Sequence, residues 1–196
     1  MDEMKSAYER AMERAESLGK ASDEDIKKWK YIPEGEKLAA RYLKEEYDIS
    51  TDVNKYDEKV RKYVLEGAQG VFIRYIDLPR NDMVRKRNKK VMEAIKELKR
   101  DKVGIENVYT KMRRVFSHYE KEGEQQRRQT YEGMKREFET KLIQAAQQQL
   151  GSGPPPKINV ESHPQFQQEW RRILAQLDSQ YLRLLDDYKR EILSIR

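Results

Sequence analysis

Residues 84–119 read VRKRNKKVMEAIKELKRDKVGIENVYTKMRRVFSHY, and their spacing decides the fold class. Val84, Asn88, Val91, Ile95, Leu98, Lys102, Ile105, Tyr109, Met112, Phe116 and Tyr119 fall at alternating steps of four and three. An α-helix turns once per 3.6 residues, so these steps keep one mostly apolar stripe on one face. A sustained seven-residue repeat is the pattern of a left-handed supercoil. The phase runs through Gly104, which favours one helix, whereas a glycine inside a helix favours a break.

The whole chain is written in the same idiom. Its 196 residues carry 41 Lys+Arg against 35 Asp+Glu, a net charge of +6, with 39% charged and 37% apolar residues. A typical globular domain has about 25% charged and 45–50% apolar residues. One large core is therefore excluded, and elongated helices that bury only a stripe are expected. There is no cysteine, so neither a disulfide nor a thiolate metal site can form. No apolar run approaches the ~20 residues that cross a bilayer. The opening MDEMKSAYER lacks the apolar stretch of a signal peptide, and the expected location is the cytoplasm.

Downstream, 120–130 (EKEGEQQRRQT) has no apolar side chain. The stripe resumes at Tyr131, Met134, Phe138, Leu142, Ala145 and Gln149, and again at Phe166, Trp170, Ile173, Leu177, Tyr181, Leu184, Tyr188, Ile192 and Ile195. Both runs suggest an 11-residue rhythm. Between them, Gly151-Ser152-Gly153-Pro154-Pro155-Pro156 stops the helix, and Pro164 suits the first turn of the next. Neighbours joined by a short loop pack antiparallel. Setting Leu150 opposite Gln165 predicts that paired residue numbers sum to about 315 across a hairpin ~45 Å long. Phe138 then lies near Leu177 and Tyr131 near Leu184, with Arg127 and Arg128 beside Asp187 and Asp186.

Upstream, Met4, Ala7, Tyr8, Ala11, Ala15 and Leu18 mark a first helix. Ser22 and Asp25 form a capping box opening a short helix with Ile26 and Trp29, which Pro33 and Gly35 interrupt. A third helix follows from about Glu34 to Tyr47. Ser50 or Thr51 caps the next, whose stripe is Val53, Tyr56, Val60, Tyr63, Val64, Val71, Tyr75 and Leu78. Gly67, Ala68 and Gly70 suggest a kink or a close helix crossing; a strand over 70–76 is the rival reading. Leu78-Pro79-Arg80-Asn81-Asp82 is a turn with Asn81 as N-cap. The expected fold is all-α: an elongated helical bundle with a short-helix region over 1–80, a long basic heptad helix over 81–119 and an antiparallel coiled-coil hairpin over 120–196.

Charge is unevenly placed: −2 over 1–80, +7 over 81–150 and +1 over 151–196. The run Arg85, Lys86, Arg87, Lys89, Lys90, Lys96, Lys99 and Arg100 could follow a phosphate backbone. The bland alternative is a solvated helix face. His118 and Glu122, an i, i+4 pair, read as a surface hydrogen bond rather than a metal edge, and His163 as a cap. No phosphate loop, catalytic triad or metal-ligand set is found, so no cofactor, metal or small-molecule substrate is expected. The loop over 151–163 is longer than a hairpin needs, and Pro154, Pro155, Pro156, Lys157, Ile158, Val160 and His163 form a candidate partner-binding tip.

YIPEGEKLAARYL (31–43), IDLPRND (76–82), QQQLG (147–151) and HPQFQQEWRRILAQLDSQY (163–181) resemble segments of an uncharacterised family of small bacterial helical proteins. The resemblance implies no substrate, cofactor or catalytic residue. The expected function is non-enzymatic: a protein-interaction or scaffold protein working through the hairpin and its tip, with an unknown protein partner and no membrane. Self-association is expected because the 84–119 seam is longer than the short N-terminal helices can cover. The alternative is an RNA- or ribosome-associated factor using the 85–102 basic face.

Overall fold

The computed structural model describes residues 22–45, 47–150 and 159–195. The expected first helix, carrying Met4 to Leu18, lies outside the described residues. The rest is all-α, and no strand occurs among the described residues. The helices are α1 (Asp23–Lys44), α2 (Ile49–Asn54), α3 (Glu58–Tyr75), α4 (Asp82–Leu98), α5 (Lys102–His118), α6 (Glu124–Leu150) and α7 (Pro164–Ser194). A π-turn over Tyr119–Gly123 joins α5 to α6, and a 3-10 turn over Val160–Ser162 precedes α7. The chain falls into two compact units: residues up to Tyr75 with Glu93–Leu98, and Ile76–Met92 with residues from Lys99 on.

In the first unit the Ser22–Asp25 capping box forms as expected, with the Asp25 amide donating to Ser22 Oγ at 3.1 Å. The helix it starts is longer than expected, because α1 runs through both Pro33 and Gly35. Proline in a helix interior costs ~3 kcal/mol, so tertiary contact must offset it. That contact is a reciprocal close crossing with α3. A Cβ on Gly35 would meet the Val64 carbonyl oxygen at 1.9 Å, and one on Gly67 would meet the Ile32 carbonyl oxygen at 2.1 Å. Gly67 thus serves the close crossing, and Gly70–Tyr75 is helix, which removes the strand alternative. Ala39, Val64, Ala68 and Phe72 are fully buried there. The next cap is Asp48 rather than Ser50 or Thr51; its carboxylate accepts from both of their amides. The expected Val53–Leu78 helix is therefore two, α2 and α3, separated at 55–57.

In the second unit Asn81 caps α4 as expected, accepting from the Val84 amide at 2.9 Å. Asn88, a seam position, is 3% exposed. Its side chain accepts from the Asp77 amide at 3.1 Å and donates to the Asp77 carbonyl at 2.6 Å, holding the 76–81 turn to α4. The seam is not one helix. It breaks before Gly104, where Asp101 caps α5 by accepting from the Gly104 amide at 2.8 Å. A Cβ on Gly104 would lie 2.4 Å from Asp101 Oδ2, so the glycine belongs to the cap. Val91, Ile105, Tyr109, Met112, Phe116 and Tyr119 of this unit are buried, and so are Ile95 and Leu98, which belong to the first unit.

From Lys102 the backbone continues through the π-turn to Leu150 without leaving the αR region at either junction, a rod of about 70 Å at 1.5 Å per residue. α7 packs antiparallel to it. Lys111 pairs with Glu191 at 2.9 Å, His118 with Tyr181 at 2.9 Å, and the rings of Tyr131 and Trp170 lie 5.0 Å apart. Paired numbers thus sum to about 300, not 315. α6 runs on to Leu150, whereas Glu161 and His163 lie back beside Lys135 (2.6 Å) and Phe138 (5.1 Å). The register follows the Tyr131, Phe138, Phe166 and Trp170 ring cluster, whose centroids lie 5.0–5.6 Å apart. The expected pairs of Arg127 and Arg128 with Asp187 and Asp186 do not form. Asp187 pairs with Arg190 and Asp186 with Lys189, both within α7.

The buried face of α7 departs from the expected stripe in part. Asp178, Leu185 and Ile192 are 3%, 1% and 0% exposed, whereas Leu184 is 45% exposed. Asp178, Leu185 and Ile192 lie one heptad apart, while Phe166 and Ile192, both on the expected stripe, are 2% and 0% exposed. The expected stripe took Leu177 and Leu184 for core and passed over the aspartate beside them.

Candidate functional site

The π-turn is the centre of a cluster of charged and aromatic side chains in the second unit. A π-turn inserts one extra residue into the helix, and such turns recur at functional sites. Here Tyr119 is buried and points its ring at Tyr181, edge to face, with centroids 5.1 Å apart. Gly123 leaves room for that ring, since a Cβ on it would sit 3.1 Å from both Tyr181 Oη and Arg127 Nη1. Arg127 lies over the Tyr119 ring at 4.0 Å and donates to the Tyr119 carbonyl at 3.1 Å.

Asp178 meets this group from α7. Arg80 Nη2 lies 3.2 Å from its Oδ2, and the Tyr119 hydroxyl donates to the same oxygen at 3.4 Å. Oδ1 accepts no hydrogen bond from the described residues; its nearest cation is Arg127 Nη1 at 3.8 Å, a charge contact. A buried charge needs compensation, and two guanidiniums supply it. The junction ties the 76–81 turn, the rod and α7 together. Burial pushes the Tyr119 phenol up, with the Asp178 charge acting in the same sense. Burial also raises Tyr181, and Glu122 and Asp178 add to the effect while Arg127 opposes it.

Next to the junction the rod and α7 enclose an open groove of about 600 Å³. Arg114, Val115, His118 and Gln126 line one wall; Gln176, Leu177, Gln180, Tyr181 and Leu184 line the other. His118 does not pair with Glu122 as expected. Its Nδ1 shares a hydrogen bond with the Tyr181 hydroxyl at 2.9 Å. The register explains the change, because it brings α7 across His118.

Of the expected partner-binding tip, Pro154, Pro155, Pro156, Lys157 and Ile158 lie outside the described residues. Val160 is 3% exposed and so is not a free contact. His163 occupies the N-cap position of α7, but its side chain makes no cap bond and packs on Phe138. The basic run is only partly presented. Lys86, Lys89 and Arg100 are exposed. Arg85 is engaged by Glu120 at 2.7 Å and Asp82 at 2.6 Å, while Arg87, Lys90 and Lys96 are half-buried. Lys99 is buried and donates to the Leu193 and Ile195 carbonyls, capping α7. Burial pushes its ammonium below the usual lysine range. Exposed Glu93 and Glu97 interleave with the remaining cations along α4.

Sequence reasoning passed over Arg80, Arg114, Gln126, Gln176, Asp178 and Gln180. One signal was present: Asp178 sits at a heptad position, four residues after Leu174, three before Tyr181 and seven before Leu185. No group of three or more His, Asp or Glu able to hold a metal occurs among the described residues. No helix among them is long and apolar enough to cross a membrane.

No curated protein and no solved structure matches the chain. The sequence pattern of one family does, over residues 50–194, which contain the junction and the whole groove. That span is 145 of the 196 residues, and the chain belongs to this family, described as a family of unknown function (DUF6657).

Proposed function

We propose that the protein is a non-enzymatic, cytoplasmic interaction or scaffold protein that receives a partner on its C-terminal helical pair. The observation that carries this reading is the apolar surface of α7, which exceeds what the pair buries. Leu185 and Ile192 face inward, while Leu184 is 45% exposed on the groove beside Leu177. A second apolar stripe next to a filled one is the feature of a helix that packs on two neighbours. The groove is partly open to solvent, whereas pockets that bury small substrates enclose most of the ligand. A chain without cysteine needs no oxidising compartment. The phosphate-binding alternative is weaker, because Arg85 and Lys99 are engaged and acidic residues share the α4 face.

The test is a cross-linking pull-down with the full chain beside a Leu177→Glu/Leu184→Glu variant. The wild type is expected to retain at least one protein that the variant loses, with far-UV circular dichroism unchanged. Identical capture by both proteins would remove the groove from the function. Nuclease-sensitive capture that follows Lys86 and Lys89 instead would favour the phosphate-binding alternative.

A further inference from the structure

We infer that the groove takes an amphipathic helix whose flank carries carboxylates. This rests on the docking reading above and adds the chemistry of the partner. The lining residues Arg114 to Gln126 span about 18 Å of the rod at 1.5 Å per residue, enough for some three turns of a third helix. A partner strand would need an open sheet edge to pair with, and helices offer none. Leu177 and Leu184 are one heptad apart on one wall, with Val115 on the other, so the apolar floor repeats at the period of a helical seam.

Charge sets the sign of the partner. The lining contains Arg114 and His118 and no carboxylate. Arg114 is exposed and forms no ion pair among the described residues. This contrasts with Arg113 beside it, which is engaged by Glu106, and with Lys111, which is engaged by Glu191. Glu122, one turn beyond His118, lies outside the lining. A guanidinium at the edge of an apolar seam is placed as e and g charges are placed beside a coiled-coil interface, where they select the partner. The three amides of Gln126, Gln176 and Gln180 can donate or accept and so leave the selection to Arg114.

The experiment uses the full chain and two fluorescein-labelled peptide helices of about four turns, each with one leucine stripe. One has glutamates flanking the stripe and the other has lysines at the same positions. Anisotropy is expected to show the glutamate peptide binding at least about tenfold tighter than the lysine peptide. Arg114→Glu is expected to abolish or reverse that preference, and Leu184→Glu to weaken both peptides about tenfold or more. Both side chains are exposed, so neither change disturbs the core, and circular dichroism checks this. Equal binding of the two peptides, still weakened by Leu184→Glu, would overturn the acidic-partner inference and leave the docking reading standing. Binding of neither peptide, or binding indifferent to Leu184→Glu, would overturn both.

Discussion

The carboxylate of Asp178 is 4% exposed, with Arg80 and Arg127 on either side of it. Removing one member of a buried charge group leaves its partners uncompensated, at a cost of roughly 3–5 kcal/mol when they are fully buried. Arg80 is half-exposed and can turn to water, so a smaller loss is expected. Asp178→Ala should lower stability by about 2–4 kcal/mol in urea unfolding, whereas Arg80→Ala should cost only about 0–1 kcal/mol. Equal effects would show that the arginines do not depend on the aspartate. Asp48 offers a pH test at the same scale. The Thr51 and Ser50 hydroxyls, and then their amides, hold its carboxyl at about 2 against an ordinary 3.8. A group lowered on folding stabilises above its unfolded value, and that contribution is lost as pH falls through the folded value. The stability gap between wild type and Asp48→Asn should therefore be constant above about pH 4, shrink between pH 4 and 2, and vanish below. Denaturation at a series of pH values measures it, and a gap undiminished at pH 2 would mean the carboxylate is not what caps α2.

At the scale of the element, glycine separates packing from propensity. Gly35→Ala would drive a methyl into the Val64 carbonyl, and nothing flexible stands there to yield. A loss at the upper end of the roughly 1–3 kcal/mol typical of overpacking, or beyond it, is expected. Gly70 and Gly133 have open space where a Cβ would go, so Gly70→Ala and Gly133→Ala should each stabilise by about 0.5–1 kcal/mol. Thermal unfolding of the three variants decides this, and destabilisation by Gly133→Ala would contradict the open geometry. Local chemistry made many element ends legible beforehand. Ser22 with Asp25, Asn81 and Pro164 act through atoms within a few residues, and all three start helices where expected. The errors have a common cause in contacts distant along the chain. Pro33 reads as a stop until Gly35 and Gly67 are seen to bring two helices together. Gly104 reads as a weak point until the Asp101 carboxylate is seen above it. Asp178 lies off the expected stripe, and its counter-charge comes from Arg80, nearly a hundred residues away. The expected register, Leu150 opposite Gln165, fails for the related reason that ring packing at Tyr131 and Phe166, and not the ends of the loop, sets it.

For the whole molecule the question is what the apolar surface leaves to be covered. The seam that reads as a reason for self-association is buried inside the single chain, from Val91 to Tyr119. Among the described residues the large apolar side chains still exposed are Ile26, Trp29, Tyr75, Met83, Val103, Leu184 and Leu193, spread over five helices. Apolar residues scattered in this way are ordinary for a monomer, whereas association sites are contiguous. Stable dimers bury about 1,600 Å² in total, roughly 20–30 residues a side, more than the nine residues that line the groove. The full chain at micromolar concentration is therefore expected to scatter light as one 23.5 kDa species, unchanged by Leu184→Glu. A species of twice that mass that Leu184→Glu dissolves would make a second copy the occupant of the groove. A dimer indifferent to that substitution would place self-association on another surface and leave the groove free for the acidic helix.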